Sequence, residues 1–595
     1  MRSPLPQADT KTRMLRVLAL ACSAAAAIFA TALLFEAARQ DGADFWDYAR
    51  SVLIFVTTAW LAWGASLALI GLPPAGRKHK AADLTGDQPA TAVLVPICNE
   101  DPVDTFARIA AMDASMRADG LSCDIAILSD TRSEDGRRAE REAFKRLLVE
   151  TEGAGHIFYR CRENNAGRKA GNVEDFFRRS GGAYTYAVIL DADSLMEGRT
   201  IRRMIAEMEA DPQLGLLQTL PKVTGARSFF GRAMQFASGF HGPVFTRGLA
   251  RMQGQTGPFW GHNAIVRVRA FAESCALPEL QGKPPFGGHI LSHDYVEAAL
   301  LARAGWAVRV DGSIDGSYEE GPENILSYAK RDRRWCQGNL QHIRLLTAPG
   351  LRGWSRFVFV QGIFSYLVSL LWAAFLIASV AATVMAPAPD YFPDPYQLFP
   401  VFPSDRTKQI TALALGIVGL LIMPKFAILV ESAATGRVRN FGGVMRALGS
   451  VVTEVLLTSL IAPLMLMYQT RAVLQVLAGR DGGWPANARG EGQLTLADAF
   501  GAAWWVMLTG VVALGLTFWL SPDLAPWLLP VTVPMILGPV LIAWSSRRLT
   551  YGLFRVPEEK QTPAVVASYR EIHRRWIGQS AEAPETELPG DAALA

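Results

Sequence analysis

Six long apolar segments constrain the fold of this chain more than any other feature. A helix needs roughly 20 apolar residues to cross the hydrocarbon of a bilayer. The windows that meet this requirement are about 15–35, 51–72, 357–386, 409–431, 501–520 and 525–545. The segment between the second and third windows has ordinary globular composition. We therefore predict two membrane helices, a large soluble domain and then further membrane helices.

The composition agrees with a membrane protein and excludes several other classes. Of the 595 residues, 50% are apolar and only 19% are charged, so the chain is more hydrophobic than a typical soluble enzyme. The net charge of +4 is small for this length, so no bulk attraction to nucleic acid is expected. The six cysteines contain no C-x-x-C pair and the eight histidines show no metal-ligand spacing, which argues against a zinc site or a disulfide framework.

Basic residues in the short loops predict the orientation of the membrane helices. They cluster in the N-terminal tail and after the second, fourth and sixth windows, whereas the opposite loops are acidic or rich in proline. We therefore expect both termini and the soluble domain to be cytoplasmic. The first window has small residues suited to signal cleavage, but its length and the nearby second window favour an uncleaved anchor. The basic residues are Arg2, Lys11, Arg13, Arg16, Arg77, Lys78, Lys80, Arg437, Arg439, Arg446, Arg547 and Arg548.

The segment 449–479 does not fit this simple scheme. It is apolar enough to cross, but it contains Glu454 and Pro463, and a further crossing would put the last basic loop outside. We interpret it as a helix at the cytoplasmic interface, followed by a glycine-rich loop (479–492) that we expect to act as a gate. A seventh span, paired with an unrecognised eighth, is the alternative.

These features divide the chain into four parts. Residues 1–74 comprise a cytoplasmic tail and two membrane helices, and 75–350 form the soluble domain. Residues 351–546 contain the remaining membrane helices with the interfacial helix. Residues 547–595 form a cytoplasmic tail.

Within the soluble domain, predicted strands alternate with predicted helices, which indicates βαβ units. The strands TAVLVPI, CDIAILSD and YTYAVILDADS deliver polar residues at their carboxyl ends, namely Asn99, Glu100, Asp130, Asp191 and Asp193. In an open parallel sheet, the ligand crevice lies at those ends. A single acid there can equally cap the next helix, so Asp130 alone is ambiguous.

The D-x-D of Asp191 and Asp193 is more specific. One intervening residue lets two carboxylates converge on a hard cation, so we predict Mg²⁺ or Mn²⁺. GRKAGN (167–172) is basic and glycine-rich but lacks the spacing of a P-loop. Its Lys169 could hold a diphosphate, or the motif could be a surface turn.

Three further clusters each admit a structural and a functional interpretation. GPFWGHNAIVR (257–267) is either a buried aromatic turn or a sugar-contacting loop. ILSHDYVEAALLARAGW (290–306) starts a helix near Asp294, which is either a cap or a functional acid. RDRRWCQGN (331–339) is either an interfacial anchor or a group of functional arginines beside the third window.

The joint order of these motifs resembles processive family 2 glycosyltransferases such as cellulose and hyaluronan synthases. VPICNE, the acid after the second strand, D-x-D, an acid at a helix start and R-x-x-R-W beside a membrane window all match. Two positions depart from the usual pattern: Ser292, His293 and Asp294 replace T-E-D, and Arg331 replaces the glutamine of Q-x-x-R-W. These departures, with ILSD, WGHNAI and GSYEE, resemble the branch that builds osmoregulated periplasmic glucans at the bacterial inner membrane.

This resemblance, dense from roughly 90 to 345, implies a GT-A-like α/β domain with a mixed, mostly parallel sheet inserted into a polytopic helical membrane domain. It implies an inverting, processive enzyme that uses UDP-glucose to build and export a largely β-1,2-linked glucan. The implied donor contacts are Asn99, Glu100, Asp130, Lys169 and Asp191, and Asp191 and Asp193 would hold the metal. Asp294 would be the general base, Arg331 and Arg334 would stabilise departing UDP, and Trp335 would stack on the acceptor sugar.

The chemistry of the residues is consistent with these roles. A single carboxylate base suffices for inversion, whereas retention by double displacement needs a second carboxylate as nucleophile. The expected partners are UDP-glucose, the growing glucan, membrane lipid and a periplasmic glucan-processing protein, and no nucleic acid. Three alternatives stay open: a synthase of cellulose-, chitin- or hyaluronan-like polymer, a glycolipid glucosyltransferase, and a transporter or scaffold with an inert nucleotide-binding domain.

Overall fold

The computed structural model describes residues 8–39, 44–74, 88–386, 396, 398–399, 407–481, 492–549 and 552–580. An α/β domain lies in sequence between two groups of long helices. Its strands are β1 (Thr91–Ile97), β2 (Asp124–Ser129), β3 (Ile157–Cys161), β4 (Tyr186–Ile189), β5 (Leu195–Met196), β6 (Leu214–Thr219), β7 (Lys222–Thr224), β8 (Ala264–Arg267), β9 (Ala307–Asp311) and β10 (Ser317–Glu320).

Helices both flank and cover these strands. The helices that precede α12 are α1 (Thr10–Arg39), α2 (Phe45–Gly71), α3 (Pro102–Ala118), α4 (Glu134–Thr151), α5 (Arg168–Ser180), α6 (Gly198–Ala210), α7 (Phe229–Phe240), α8 (Gly242–Gln253), α9 (Val268–Ser274), α10 (His293–Arg303) and α11 (Ile325–Gln341). The later ones are α12 (Gly353–Val384), α13 (Thr407–Ala434), α14 (Val444–Leu477), α15 (Leu496–Leu520), α16 (Ala525–Ile536), α17 (Gly538–Ser545), α18 (Pro557–Lys560) and α19 (Ala564–Ser580).

Seven strands form the main sheet, in the order β3-β2-β1-β4-β8-β6-β9. Only β8 is antiparallel to its neighbours, so the sheet is mixed and mostly parallel, as predicted. The run of Val and Ile residues in β1 and β4 is buried on both faces, which is why these strands read as continuous apolar segments. A second, three-stranded sheet has the order β5-β10-β7. Its strand β5 begins just after Asp193 of the D-x-D motif.

Six helices in the described residues are long and apolar enough to cross a membrane: α1, α2, α12, α13, α14 and α15. The segment that contains α16 and α17 passes the same test as a pair bent by 55°. Five predicted windows therefore coincide with single helices, and the sixth coincides with the bent pair. The segment 449–479, predicted to be interfacial, forms most of α14, which by length and composition alone also qualifies as a span.

The two residues that argued against a crossing at 449–479 both lie within α14. Glu454 is buried, and both of its carboxylate oxygens accept hydrogen bonds from Lys425 of α13 at 2.7 Å. Pro463 lies inside the helix. The predicted gating loop (479–492) falls largely outside the described residues.

The C-terminal segment 547–595, predicted as a tail, contributes to the core of the α/β domain. Trp576 of α19 is only 1% exposed and packs in the same apolar cluster as α3 and α4. The Arg146 guanidinium lies 4.7 Å from the Trp576 ring centroid. The α/β domain and α19 must therefore lie on the same side of any membrane.

Helix α8 joins the α/β domain to membrane helix α2 at a close crossing. A Cβ atom on Gly248 would lie 1.9 Å from the carbonyl oxygen of Leu67, so the two backbones touch directly. Arg247 and Arg251 donate to the carbonyl oxygens of Gly71 and Ile70, at 2.8 and 2.5 Å. These carbonyls end α2 and have no intrahelical partner, so the arginines complete the helix end and hold the domain against it.

Candidate active site

Polar residues emerge where the parallel strands end. Asn99 and Glu100 follow β1, Asp130 follows β2, and Asp191 and Asp193 follow β4. Because β1 pairs in parallel with both β2 and β4, their carboxyl ends meet at one edge of the sheet. All five predicted residues therefore lie along this edge.

Asp191 holds a cationic side chain in the structure. Lys169 Nζ donates to Asp191 Oδ1 and, at 2.7 Å, to the carbonyl oxygen of Gly261. Lys169 lies in the first turn of α5, which begins after Gly167 in the left-handed region. An ammonium group therefore offsets the repulsion between the two carboxylates of the D-x-D motif.

The donor set also fits a divalent ion. No three His, Cys, Asp or Glu side chains are grouped for a metal in the part of the chain that the structure describes. Mg²⁺, however, is usually bound by one or two carboxylates together with phosphate oxygens of the substrate. Asp191 and Asp193 provide that carboxylate pair, and the contact with Lys169 indicates that Asp191 stabilises positive charge.

The segment 260–263, within the predicted GPFWGHNAIVR cluster, lies at the centre of the site. Ser194 Oγ accepts from the Asp191 amide at 2.9 Å and donates to Asn263 Oδ1 at 2.6 Å. Asn263 Nδ2 in turn donates to Ser317 Oγ at 2.8 Å. The buried Asn263 therefore ties this loop to the D-x-D turn and to β10.

His262 projects between two acidic side chains. Its Nε2 lies 3.0 Å from Glu319 Oε2 and 3.9 Å from Asp191 Oδ2. Burial lowers the pKa of His262, despite the opposing charge of Asp191, so the imidazole is favoured in its neutral form. Burial, followed by the charge of Asp193, raises the pKa of Glu319 to about 8.

Asp294 lies on the other side of the same loop. Gly261 has φ +83°, and a Cβ on it would lie 3.6 Å from Asp294 Cβ, so this position favours glycine. Burial raises the pKa of Asp294, and the neighbouring His293 partly opposes that shift. His293 Nδ1 is 2.9 Å from Glu297 Oε2. Burial disfavours the imidazolium, but the charge and hydrogen bond of Glu297, together with the charge of Asp294, raise the pKa of His293.

Helix α11 supplies the predicted arginines and tryptophan. Arg331, Arg334 and Trp335 are spaced i, i+3 and i+4, so they share one face of the helix. The Arg331 guanidinium lies 4.7 Å from the Trp335 ring centroid, and Trp335 is 42% exposed. The predicted stacking residue is therefore accessible, although Arg331 lies over one of its faces.

A cleft of about 1040 Å³ opens beside these residues. It brings together five of the predicted site residues: Asn99, Glu100, Asp193, Arg331 and Arg334. Arg331 also acts electrostatically on His262 and Glu319, which connects the cleft to the group around Gly261. Asp193 and Arg331 thus line the cleft and act on His262 and Glu319, whereas Asp191, Lys169, Asp294 and Trp335 are not among the residues that line it.

Asp130 is more buried than we expect for a residue that contacts the nucleotide. Arg162 donates to both of its carboxylate oxygens, at 2.5 and 2.8 Å, and Asn172 donates at 2.9 Å. The residue is only 5% exposed. Its role at the nucleotide stays a prediction, and in the structure it anchors the segment that precedes Lys169.

Two contributors were not identified from the sequence. Glu319 occurs in the GSYEE string, but nothing local shows which of the two adjacent acids contacts His262 and which lines the cleft. Arg108 is buried and donates to the backbone oxygen of Asp193 at 3.2 Å and to Glu320 at 2.7 Å. These two partners lie 85 and 212 residues away in the sequence, so no local pattern could identify Arg108 as part of the site.

Two family models match the chain in this region. The model described as Glycosyl transferase family 2 matches residues 92–274, and Glycosyl transferase family group 2 matches residues 186–389. Among solved structures, the mannosyltransferase PcManGT from Pyrobaculum calidifontis, in complex with GDP-Man and Mn²⁺, is 14% identical with a TM-score of 0.45. That match covers 73% of this chain and 100% of the other.

Curated relatives match over nearly the whole chain. The Glucans biosynthesis glucosyltransferase H of Cereibacter sphaeroides is 56% identical over 96% of this chain and 96% of its own length. The protein of the same name from Bradyrhizobium diazoefficiens is 39% identical over 94% of this chain and 75% of its own length. The predicted GT-A-like fold and the predicted family are thus confirmed, and the chain belongs to the glucans biosynthesis glucosyltransferase H family of family 2 glycosyltransferases.

Proposed function

We propose that the protein transfers glucose from UDP-glucose, with inversion, to the growing end of a largely β-1,2-linked glucan. The observation that carries this proposal is the arrangement around Gly261. Its carbonyl accepts from the lysine that pairs with Asp191, while its Cα faces Asp294. A sugar bound over this loop would have the diphosphate at one end and a base at the other.

The donor end of the site suits a nucleotide diphosphate. Asp191 and Asp193 would hold a divalent ion, which supplies positive charge to the phosphate oxygens. Lys169 would then turn from Asp191 toward the diphosphate. Arg331 and Arg334 line the cleft next to Asp193 and would stabilise the charge on departing UDP. Asn99 and Glu100 line the same cleft and would contact the nucleotide.

The acceptor end suits a single-base mechanism. Asp294 would take the proton of the attacking hydroxyl as the hydroxyl oxygen bonds to the anomeric carbon and the bond to UDP breaks. Inversion follows because the attack and the departure occur on opposite faces of the sugar. Trp335 would support the apolar face of the acceptor.

The position of α11 supports export through the helix bundle. Only 11 residues separate its C-terminal end from the start of α12, a candidate span. A glucan end formed at α11 would therefore lie at the entrance to the membrane helices. We place the α/β domain and both termini in the cytoplasm, and the helices in the bacterial inner membrane.

Contacts at both ends of α14 support an interfacial course for this helix. Near its start, Ser450 Oγ accepts from the Phe554 amide at 3.0 Å. Near its end, Gln475 accepts from Arg333 of the α/β domain at 3.3 Å. With α12, α13, α15 and the bent pair as four crossings, α19 returns to the side of the domain without a crossing by α14.

This topology is tested by single cysteines at Val444 and Leu477 in a variant without the six native cysteines. Both positions are exposed at the ends of α14. An impermeant maleimide should label both in inverted vesicles and neither in right-side-out spheroplasts. Labelling of the two positions from opposite sides would show that α14 crosses.

The activity is tested by incubating purified protein with UDP-glucose and Mg²⁺, followed by linkage analysis of the product. We expect UDP release and a soluble β-1,2-linked glucan, both abolished by chelation of the metal. Turnover of UDP-N-acetylglucosamine instead, a different linkage, or product found only on lipid would each contradict the proposal.

A further inference from the structure

The pair formed by His262 and Glu319 has no part in the reaction described above. Glu319 lies on β10, where alternation directs its neighbour Glu320 toward Arg108 on the opposite face. Glu319 itself contacts His262 at 3.0 Å and lies in the electrostatic field of Asp193 and Arg331. The functional roles open to an acid in this position are metal binding, base catalysis and substrate binding.

The expected ligand number argues against a role at the metal. Mg²⁺ usually takes one or two carboxylates beside phosphate oxygens of the substrate, and Asp191 and Asp193 already supply that pair. The role of base is met by Asp294 on the far side of Gly261. Substrate binding is the remaining function for Glu319.

The position of the pair indicates which part of the substrate it meets. Gly261 is bounded by Lys169 on the donor side and by Asp294 on the acceptor side, and His262 is the next residue. The hexose being transferred must lie between the diphosphate and the base. Its ring hydroxyls would therefore face His262 and Glu319.

The polar atoms of the pair suit neutral hydroxyl groups. His262 Nδ1 is buried and has no hydrogen-bond partner among the described residues, while Nε2 is directed at Glu319. A buried polar atom without a partner costs free energy, which a bound hydroxyl would recover. Together the carboxyl and the imidazole offer both a donor and an acceptor, as a vicinal diol requires.

We propose that His262 and Glu319 form a hexose-binding subsite that recognises hydroxyl groups of the sugar transferred from the donor. The inference rests on the proposed function and adds the residues that select the sugar. Sites built to hydrogen-bond a hydroxyl discriminate strongly against analogues that lack it, because their own polar groups are then left unpaired.

The test compares the affinity for UDP-glucose with the affinity for UDP alone, in the presence of Mg²⁺, for His262→Ala and Glu319→Ala. We expect the preference for UDP-glucose over UDP to fall about tenfold in each variant, the loss of one hydrogen bond of about 1.4 kcal/mol. The affinity for UDP should stay within twofold of the unmodified protein. Glu319→Gln, which keeps the shape and a hydrogen-bonding group, should recover part of the loss.

Glu273→Gln is the matched control, because Glu273 is an exposed acid of the same domain that pairs with Arg269 at 2.7 Å. An unchanged preference for UDP-glucose in both alanine variants would overturn the subsite. An equal loss of UDP affinity would also overturn it, since the pair would then serve the nucleotide or the fold. Failure of the proposed function is distinguishable, because the unmodified protein would then neither prefer UDP-glucose nor release UDP from it.

Discussion

Lys169 illustrates how one residue organises the donor half of the site. Its ammonium bridges the first acid of the D-x-D motif and the carbonyl oxygen of Gly261, which lies 92 residues away in the chain. In the proposed mechanism this flexible side chain would exchange the carboxylate for the diphosphate without moving the backbone. The other acid, Asp193, is held through its backbone by Arg108 and lines the cleft.

At the same scale, Asp294→Asn should abolish glucosyl transfer while preserving UDP binding. The amide keeps the shape of the side chain but cannot accept a proton from the acceptor hydroxyl. General-base catalysis contributes about 10²- to 10⁴-fold, so UDP release should fall by at least the lower figure. Asp135→Asn, at an acid that is 92% exposed, is the control and should be fully active. Near-normal synthesis by Asp294→Asn would reject this residue as the base.

The rise of kcat/KM at the acid end of the pH profile should also reflect the deprotonation of Asp294. Burial raises the pKa of this carboxyl, with His293 opposing and Glu297 adding to the increase. The base is active only when deprotonated, so kcat/KM should rise with pH through a pKa above that of an ordinary aspartate. The measurement is kcat/KM for UDP-glucose from pH 4 to 8, with far-UV circular dichroism to exclude unfolding. A limb at or below pH 4 would contradict the assignment.

At the scale of elements, α11 has two faces with different tasks. One face presents Arg331, Arg334 and Trp335. The other is attached to α14, where Asp332 accepts from Gln469 at 2.9 Å and Arg333 donates to Gln475. Side chains three and four residues apart share a helix face. One face of α11 can therefore contribute to the site while the other attaches the helix to α14.

Helix α19 should be necessary for the stability of the α/β domain. Trp576→Ala removes a fully buried aromatic side chain and should cost about 3–5 kcal/mol in the free energy of unfolding. The neighbouring Ile577 is 54% exposed, so Ile577→Ala is a matched control with little expected effect. Thermal unfolding in detergent measures both. Equal melting temperatures for the two variants would show that α19 does not contribute to the core.

At the scale of the whole molecule, the proposed function requires that the α/β domain keep its position against the candidate membrane helices. Packing of α8 on α2 supplies that coupling, since the Gly71 and Gly248 backbones approach too closely for any side chain. Arginines of α8 at the end of α2 reinforce the contact. Under the proposed export route, a glucan formed in the cleft would enter the helices only if this arrangement persists.

Gly248→Ala should therefore weaken the coupling more than an ordinary alanine substitution in a helix. The added methyl group would meet the Leu67 carbonyl oxygen, and overpacking of this kind costs about 1–3 kcal/mol. Gly64→Ala on α2 is the control, because nothing lies within 4 Å of its added methyl group. Thermal stability and glucan yield should both fall for Gly248→Ala and not for Gly64→Ala. Identical behaviour of the two would contradict the close crossing.

The local pattern of the sequence by itself determined the membrane windows, the first strands of the sheet and the acids that follow them. Apolar runs of 20 residues and acids at strand ends are properties of short segments, so they can be recognised without the fold. The parallel order of the strands then requires Asp191 and Asp193 to meet the β1 loop at one edge.

Only the tertiary structure decided which side chains face one another across the site. The pairing of His262 with Glu319, the enclosure of Asp130 by Arg162 and the packing of α19 on α3 depend on how separate segments dock. Alternation along β10 directs Glu319 and Glu320 to opposite faces, and only the neighbouring segments decide that Glu320 lines the cleft while Glu319 meets His262. Contacts between distant segments follow from the packing of the whole chain, and no local periodicity encodes them.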